Sequence, residues 1–198
     1  MRKGLGTMCG RYFMDADDVR EYAADIDSLN RDPSGGVDIC PGMEAPALVS
    51  EGGETAIRAM RWGFEKPTSS GLVINARVET IAEKPMFRAL AQDQRCAMPA
   101  SHYYEWRASD RQKYEISLSD SRRFWLAGLW RVGMGGAQFV VLTQPPVDAI
   151  VPVHNRMPLL LPDADAMKRW LAGETRLFAN SAALHVAAEG PEQLAMRF

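Results

Sequence analysis

One short β-type run after another, from Ala47 to Thr143, constrains this chain more than any other feature. Residues 47–50, 55–64, 72–78, 95–98, 103–107, 114–118, 124–130 and 138–143 are rich in aromatic and branched side chains. They are separated by turn-forming residues, which is the pattern of short strands. Helical spacing is confined to three places. In residues 15–29, Val19, Tyr22, Ala23 and Ile26 recur on one side behind a capping Asp15. Residues 84–94 carry Pro85 in the first turn, and residues 163–172 end at Gly173. Asn30 to Gly36 (NRDPSGG) is a loop by composition. Many short strands and a few short helices predict an α+β, β-rich single domain built as a curved sheet or partial barrel. With 198 residues, 46% of them hydrophobic, the chain has the length and apolar content for one core. No repeat or linker marks a second domain.

Several function classes fall away at this level. No stretch approaches 18 apolar residues, so no spanning helix is predicted. The opening MRKGLGTM is basic but lacks the apolar segment of a secretory signal, so cytoplasmic residence is expected. The three cysteines, Cys9, Cys40 and Cys96, form no CxxC pair and no zinc-type spacing. Free thiols, no metal and no cofactor are therefore expected, with Cys40 and Cys96 acting as small buried hydrophobes. A net charge of −2 argues against a protein that works by non-specific attraction to phosphates. A nucleic-acid function requires a local basic patch instead.

Four stretches place polar residues inside apolar settings: Met8-Cys9-Gly10-Arg11, Ile74-Asn75-Ala76-Arg77, Tyr103-Tyr104-Glu105-Trp106 and Val153-His154-Asn155-Arg156. Glu105 stands between two aromatics, where an unpaired carboxylate has a raised pKa suited to proton transfer. His154 sits in a Pro-flanked apolar run, and Asn75 follows a strand. Taken singly, each also reads as an ordinary structural residue. Arg11, Arg77 and Arg156 each lie two positions after a candidate polar group, Cys9, Asn75 and His154. Strand alternation predicts that each arginine shares its partner's face, as an anion-receiving surface requires.

Read together and in order, "MCGRY", "RWG", "INARVETIAEKPMFR", "RCAMPA…YYEW", "FWLAGLW", "VVLT" and "HNRMPLLLP" resemble the SOS response-associated peptidase (SRAP) family of abasic-site processing proteins. The likeness runs from Met8 to about Leu171. It implies a single β-rich domain that binds single-stranded DNA and bonds covalently to abasic sites through an N-terminal cysteine. By that resemblance the nucleophile is Cys9, supported by Asn75, Glu105 and His154. Gly10, Arg11, Arg77 and Arg156 are expected at the DNA, and Trp62 near a base. A monomer working at abasic single strands is expected, associated with the nucleoid when bound. Thiol (auto)peptidase activity of Cys9 with Glu105 or His154 is the alternative, and a non-catalytic single-strand-binding module is a third.

The chemistry explains why a cysteine must stand first. A ring-opened abasic sugar presents an aldehyde; an amine attacks it to give an imine, and a thiol on the adjacent carbon closes a durable thiazolidine. An α-amine with pKa about 7.7–8.0 is roughly 10–20% neutral at pH 7, against roughly 0.04% for a lysine at about 10.4. With residues 1–8 attached, Cys9 carries an amide and no amine. The extension is therefore expected to be absent or removed in the active form, through a start at Met8 or self-cleavage after it, leaving one domain over 9–198.

Overall fold

The computed structural model describes residues 9–66, 70–174 and 183–190. In chain order the elements are β1 (Tyr12–Met14), α1 (Ala16–Tyr22), β2 (Val37–Ile39), β3 (Glu44–Glu51), β4 (Glu54–Trp62), β5 (Phe64–Glu65), β6 (Leu72–Val73) and β7 (Asn75–Arg77). There follow α2 (Pro85–Arg88), α3 (Leu90–Asp93), β8 (Arg95–Ala100), β9 (His102–Trp106), β10 (Lys113–Leu118), β11 (Phe124–Gly133) and β12 (Gly136–Gln144). The last are β13 (Met157–Pro158), β14 (Leu160–Leu161), α4 (Ala164–Leu171) and β15 (Leu184–Ala188). The protein is α+β and β-rich, as the run of short strands predicts.

The described strands form two large sheets and a separate two-stranded pair, β5-β6. The first has the order β15-β10-β9-β1-β2. The second has the order β13-β12-β4-β3-β8-β11-β14, with β7 added beside β12. Because β12 also pairs with β11, the strands β12-β4-β3-β8-β11 return on themselves as a barrel. The central strands are buried on both faces. Cys96, Met98, Phe124, Leu126, Phe139 and Val141 point into one cluster with Tyr12, Trp62 and Tyr103. Their neighbours Ala97, Trp125, Ala127, Leu129, Val140 and Leu142 point the other way, onto Met167 and Trp170 of α4. Burial on both faces explains why FWLAGLW and FVVL are continuous apolar runs rather than alternating ones.

Local chemistry fixes the helix ends. Asp15 accepts from the Asp18 backbone N–H and Asp163 from that of Ala166, so each satisfies a donor at a helix start. The helix predicted over 15–29 stops at Tyr22. Beyond it lie Asp25, Asp27 and Ser28, whose short polar side chains compete for backbone hydrogen bonds and favour turns. Ile26 and Leu29 are nonetheless buried, which is why their spacing imitates a helix. The strand predicted over 72–78 divides at Ile74, since β6 pairs with β5 while β7 pairs with β12. β1, β2, β13 and β14 are too short to show any periodicity.

Trp62 is fully buried. Its ring lies 5.4 Å from that of Tyr12 and 5.9 Å from that of Phe139, and its indole N–H donates to the Ile74 carbonyl at 2.9 Å. Gly63 follows with φ +115 and donates to the Phe139 carbonyl, and a Cβ there would sit 2.9 Å from Leu72. Trp62 thus joins the barrel to β1. Denaturant titration of Trp62→Ala is expected to show a loss of about 3–5 kcal/mol of stability. The exposed Arg77→Ala should stay within about 0.5 kcal/mol of the parent.

Candidate active site around Cys9

Cys9 immediately precedes β1, and β1 decides what lies next to it. β1 runs antiparallel to β9 with Tyr12 opposite Tyr103, and the Tyr104 N–H donates to the Arg11 carbonyl at 3.0 Å. Alternation along β9 puts Tyr103 and Glu105 on one side, toward the core. The Cys9 backbone N–H donates to Glu105 Oε1 at 2.7 Å. On its other side the Cys9 carbonyl accepts from Asn75 Nδ2 at 3.5 Å. Asn75 is held by β7, whose Cα register places it beside Val141 of β12. Cys9 is therefore pinned at both ends, its nitrogen to the first sheet and its carbonyl to the second. Its φ of +32 lies in the left-handed region, where a Cβ is strained.

Burial dominates the electrostatics. Glu105 is 2% exposed, and loss of water pushes its carboxyl up to about 7, while the N–H groups of Cys9 and Trp106 pull it the other way. The Cys9 thiol is pushed well above its ordinary value, first by complete burial and then by the Glu105 charge. At neutral pH the sulfur is a thiol, and the group facing the base is the nitrogen. The arrangement aims a carboxyl that titrates near neutrality at one backbone nitrogen.

The structure gathers some of the expected site residues and not others. Cys9, Glu105 and Asn75 form one bonded set. Gly10 is half-buried beside them. His154 sits in the turn before β13, with its Nδ1 3.2 Å from both the nitrogen and the carbonyl oxygen of Arg156. Among the described residues no hydrogen bond joins His154 to Cys9 or Glu105. The three arginines do not form one open surface. Arg11 pairs with Asp38 at 2.7 Å and lies over the Tyr104 ring. Arg156 is held inside, its guanidinium bonded to Glu79 at 2.8 Å and to the Thr143 carbonyl at 2.7 Å. Arg77 alone of the three is exposed, on the same face of β7 as Asn75. The expectation that Trp62 supports a base is corrected: both its ring neighbours and its N–H are internal, so no ring face is open to DNA. Cys96 is fully buried as expected, whereas Cys40 is half-buried.

Sequence reasoning missed the partners. Asp38 and Glu79 hold Arg11 and Arg156, and nothing in a linear pattern marks a carboxylate that folds back from so far away. Tyr103 was legible only as a strand residue, and Tyr12 only as part of the MCGRY motif. Among the described residues no group of three or more His, Cys, Asp or Glu side chains is placed to hold a metal. No described helix is long and apolar enough to cross a membrane.

The fold and site define a β-rich domain in which a cysteine nitrogen is bonded to a buried carboxyl. Solved structures share the fold: a protein from Bacteroides thetaiotaomicron superimposes with a TM-score of 0.70 at 20% identity, covering 92% of this chain and 93% of that one. The family model for SOS response associated peptidase (SRAP) matches residues 8–197, and the chain belongs to that family. Among its relatives, the abasic site processing protein YoqW of Bacillus subtilis is 31% identical, over 83% of this chain and 80% of that one. The abasic site processing protein YedK of Escherichia coli is 27% identical, over 92% and 86%. The abasic site processing protein HMCES of Xenopus tropicalis is 26% identical over 73% of this chain and 53% of its own.

The Glu105 carboxyl sets a pH dependence of stability. Its folded pKa of about 7 lies above the ordinary 4.5, so between those values the folded protein keeps a proton that the unfolded chain has lost. Stability then falls as pH rises through that window. Glu105→Gln has no such titration. Its stability relative to the parent should rise by about 3 kcal/mol between about pH 4.5 and pH 7, measured by denaturant unfolding.

Proposed function

We propose that the protein processes abasic sites in single-stranded DNA by forming a covalent thiazolidine between the sugar aldehyde and Cys9. The observation that carries this reading is the Cys9 nitrogen, held 2.7 Å from a buried carboxyl titrating near neutrality. In the full chain that nitrogen is an amide and stands where the reactive amine stands once residues 1–8 are gone. Glu105 then takes the ammonium proton, the neutral amine attacks the aldehyde, and the same acid returns a proton as water leaves to give the imine. The thiol next to it closes the ring. Asn75 fixes the Cys9 carbonyl and so aims the amine. His154 acts on the sugar, protonating its ring oxygen to favour the open aldehyde. The names of the relatives support abasic sites as the substrate.

Recognition of the strand falls first to Arg77. Arg11 and Arg156 already have carboxylate partners, and phosphates must compete with Asp38 and Glu79 to engage them. The acidic balance of the chain is consistent with a protein that relies on a durable bond rather than on tight reversible binding.

A second reading, self-cleavage of the Met8–Cys9 bond, is favoured by the Cys9 backbone. The strained φ is a torsion about the Cys9 N–Cα bond that is defined by the carbonyl carbon before it, so it ceases to exist when that carbonyl leaves. Strain of this kind is worth on the order of 1–3 kcal/mol. In this reading Glu105 serves that step as well, and its hydrogen bond to the Cys9 nitrogen supports the role.

Intact-mass measurement tests both readings. Protein beginning at Cys9 is expected to form a denaturant-resistant adduct with abasic single strands and none with intact strands. Cys9→Ala should form none, and Glu105→Gln should form it roughly 10²–10⁴-fold more slowly. Unchanged adduct formation by Cys9→Ala sinks the thiazolidine. Time-dependent loss of residues 1–8 from the parent but not from Glu105→Gln supports self-cleavage.

Arg77→Ala should weaken binding to intact and abasic strands about equally and flatten the logarithmic salt dependence by about 0.7. The same measurement on Arg156→Ala should show a smaller change in slope, because that guanidinium is already paired. An unchanged slope for Arg77→Ala moves the strand to another face.

A further inference from the structure

Two buried hydroxyls in the core cluster that holds Cys9 have no partner among the described residues. Tyr12 and Tyr103 are both fully buried, and neither phenolic oxygen meets a hydrogen-bonding group. An unpaired buried hydroxyl is destabilising, because it gives up its hydrogen bonds to water and gains none in return. The two tyrosines that carry them stand directly opposite each other on adjacent strands. Tyr103 lies two residues before Glu105 on the same side of β9, and both tyrosines belong with Cys9 to one packed cluster. Their rings are fixed, that of Tyr12 against Trp62 and that of Tyr103 edge-on to Phe124 at 6.4 Å. Each phenol is pushed well above its ordinary pKa, first by burial and then by charge on the Cys9 sulfur. Both therefore stay protonated, as donors, within the field of that sulfur. The other titratable groups around them are Glu105, which faces Cys9 and Tyr103, and Cys96, which faces Tyr12.

Resting on the function proposed above, we infer that Tyr12 and Tyr103 form a hydroxyl pair that receives the Cys9 sulfur during ring closure. In that step a bond forms between sulfur and the imine carbon. The C=N π pair moves to nitrogen, and the thiol proton ends on that nitrogen. Nothing is oxidised or reduced. The difficulty is local: sulfur must gain negative charge in a dry site whose nearest charged group, Glu105, repels it. Two O–H donors offset that cost, since hydrogen bonds to a charged acceptor are roughly twice as strong as neutral ones. The cost of leaving the hydroxyls unpaired in the resting protein is recovered when the charge develops. Tyr12 and Tyr103 are thus positioning residues for the thiol, distinct from the acid that serves the amine.

The test uses Tyr12→Phe, Tyr103→Phe and the double variant, in the full chain and in the chain beginning at Cys9. Methyl methanethiosulfonate labelling of Cys9, followed by peptide mass against pH, reads the thiol without any DNA. Each single variant should move the labelling midpoint up by about one pH unit, and the double variant further, with the plateau rate unchanged. With abasic DNA, the borohydride-trappable imine should form at the parent's rate but persist about tenfold longer. Because phenylalanine keeps the ring and removes only an unpaired hydroxyl, thermal midpoints should not fall. A double variant with the parent's labelling profile overturns the inference, as does one whose only change is a lower thermal midpoint. If the parent itself forms no adduct while the labelling midpoints still shift, the abasic-site reading fails and the hydroxyl pair stands.

Discussion

A hydrogen bond between a backbone nitrogen and a buried carboxyl holds this architecture to its purpose. Glu105 sits among aromatic side chains with its carboxyl shielded from water, at a cost reflected in its raised pKa. The Cys9 N–H meets that carboxyl because β1 pairs with β9 in one register, Tyr12 opposite Tyr103. A slip of one residue turns Glu105 outward and Tyr104 inward and leaves the Cys9 nitrogen without a partner. The packing of Trp62 between Tyr12 and Phe139 fixes that register against the barrel.

The site lies at the seam between the two sheets, and this explains its mixed composition. The first sheet supplies the carboxyl of Glu105, and the second supplies Asn75. Neither sheet alone surrounds Cys9. The seam also separates tasks. The backbone nitrogen of Cys9 faces a carboxyl that titrates near neutrality, and its thiol is kept protonated by burial. Under the proposed function an aminothiol needs that separation, because its nitrogen must lose a proton readily while its sulfur gives one up only at ring closure.

Charge pairing shapes what the surface near the site offers to DNA. Asp38 and Glu79 hold Arg11 and Arg156, so two of the three arginines beside the site are neutralised locally. Such pairs, partly exposed, contribute little to stability. They leave each arginine oriented and able to exchange one anionic partner for another, as strand binding requires under the proposed function.

The succession of short apolar runs determined a β-rich α+β domain, because runs of that length and residue type have few other ways to bury themselves. The ordered motifs around Cys9, Asn75, Glu105 and His154 made the family legible, since each polar residue stands in an apolar setting that is costly without a purpose. The tertiary structure decided the rest. Ile26 and Leu29 looked helical by spacing, but tertiary burial, not helix geometry, set their positions. Trp62 looked available to a base beside its glycine, yet its ring joins the two sheets. Of the three arginines only Arg77 shares a strand with its polar partner, Asn75, while Arg11 and Arg156 lie outside strands and are held by carboxylates from distant segments. Above all, which atom of Cys9 meets Glu105 depends on strand register and on closure of one sheet over the other. Both are long-range quantities, fixed by packing of residues far apart in the chain, and no local pattern encodes them.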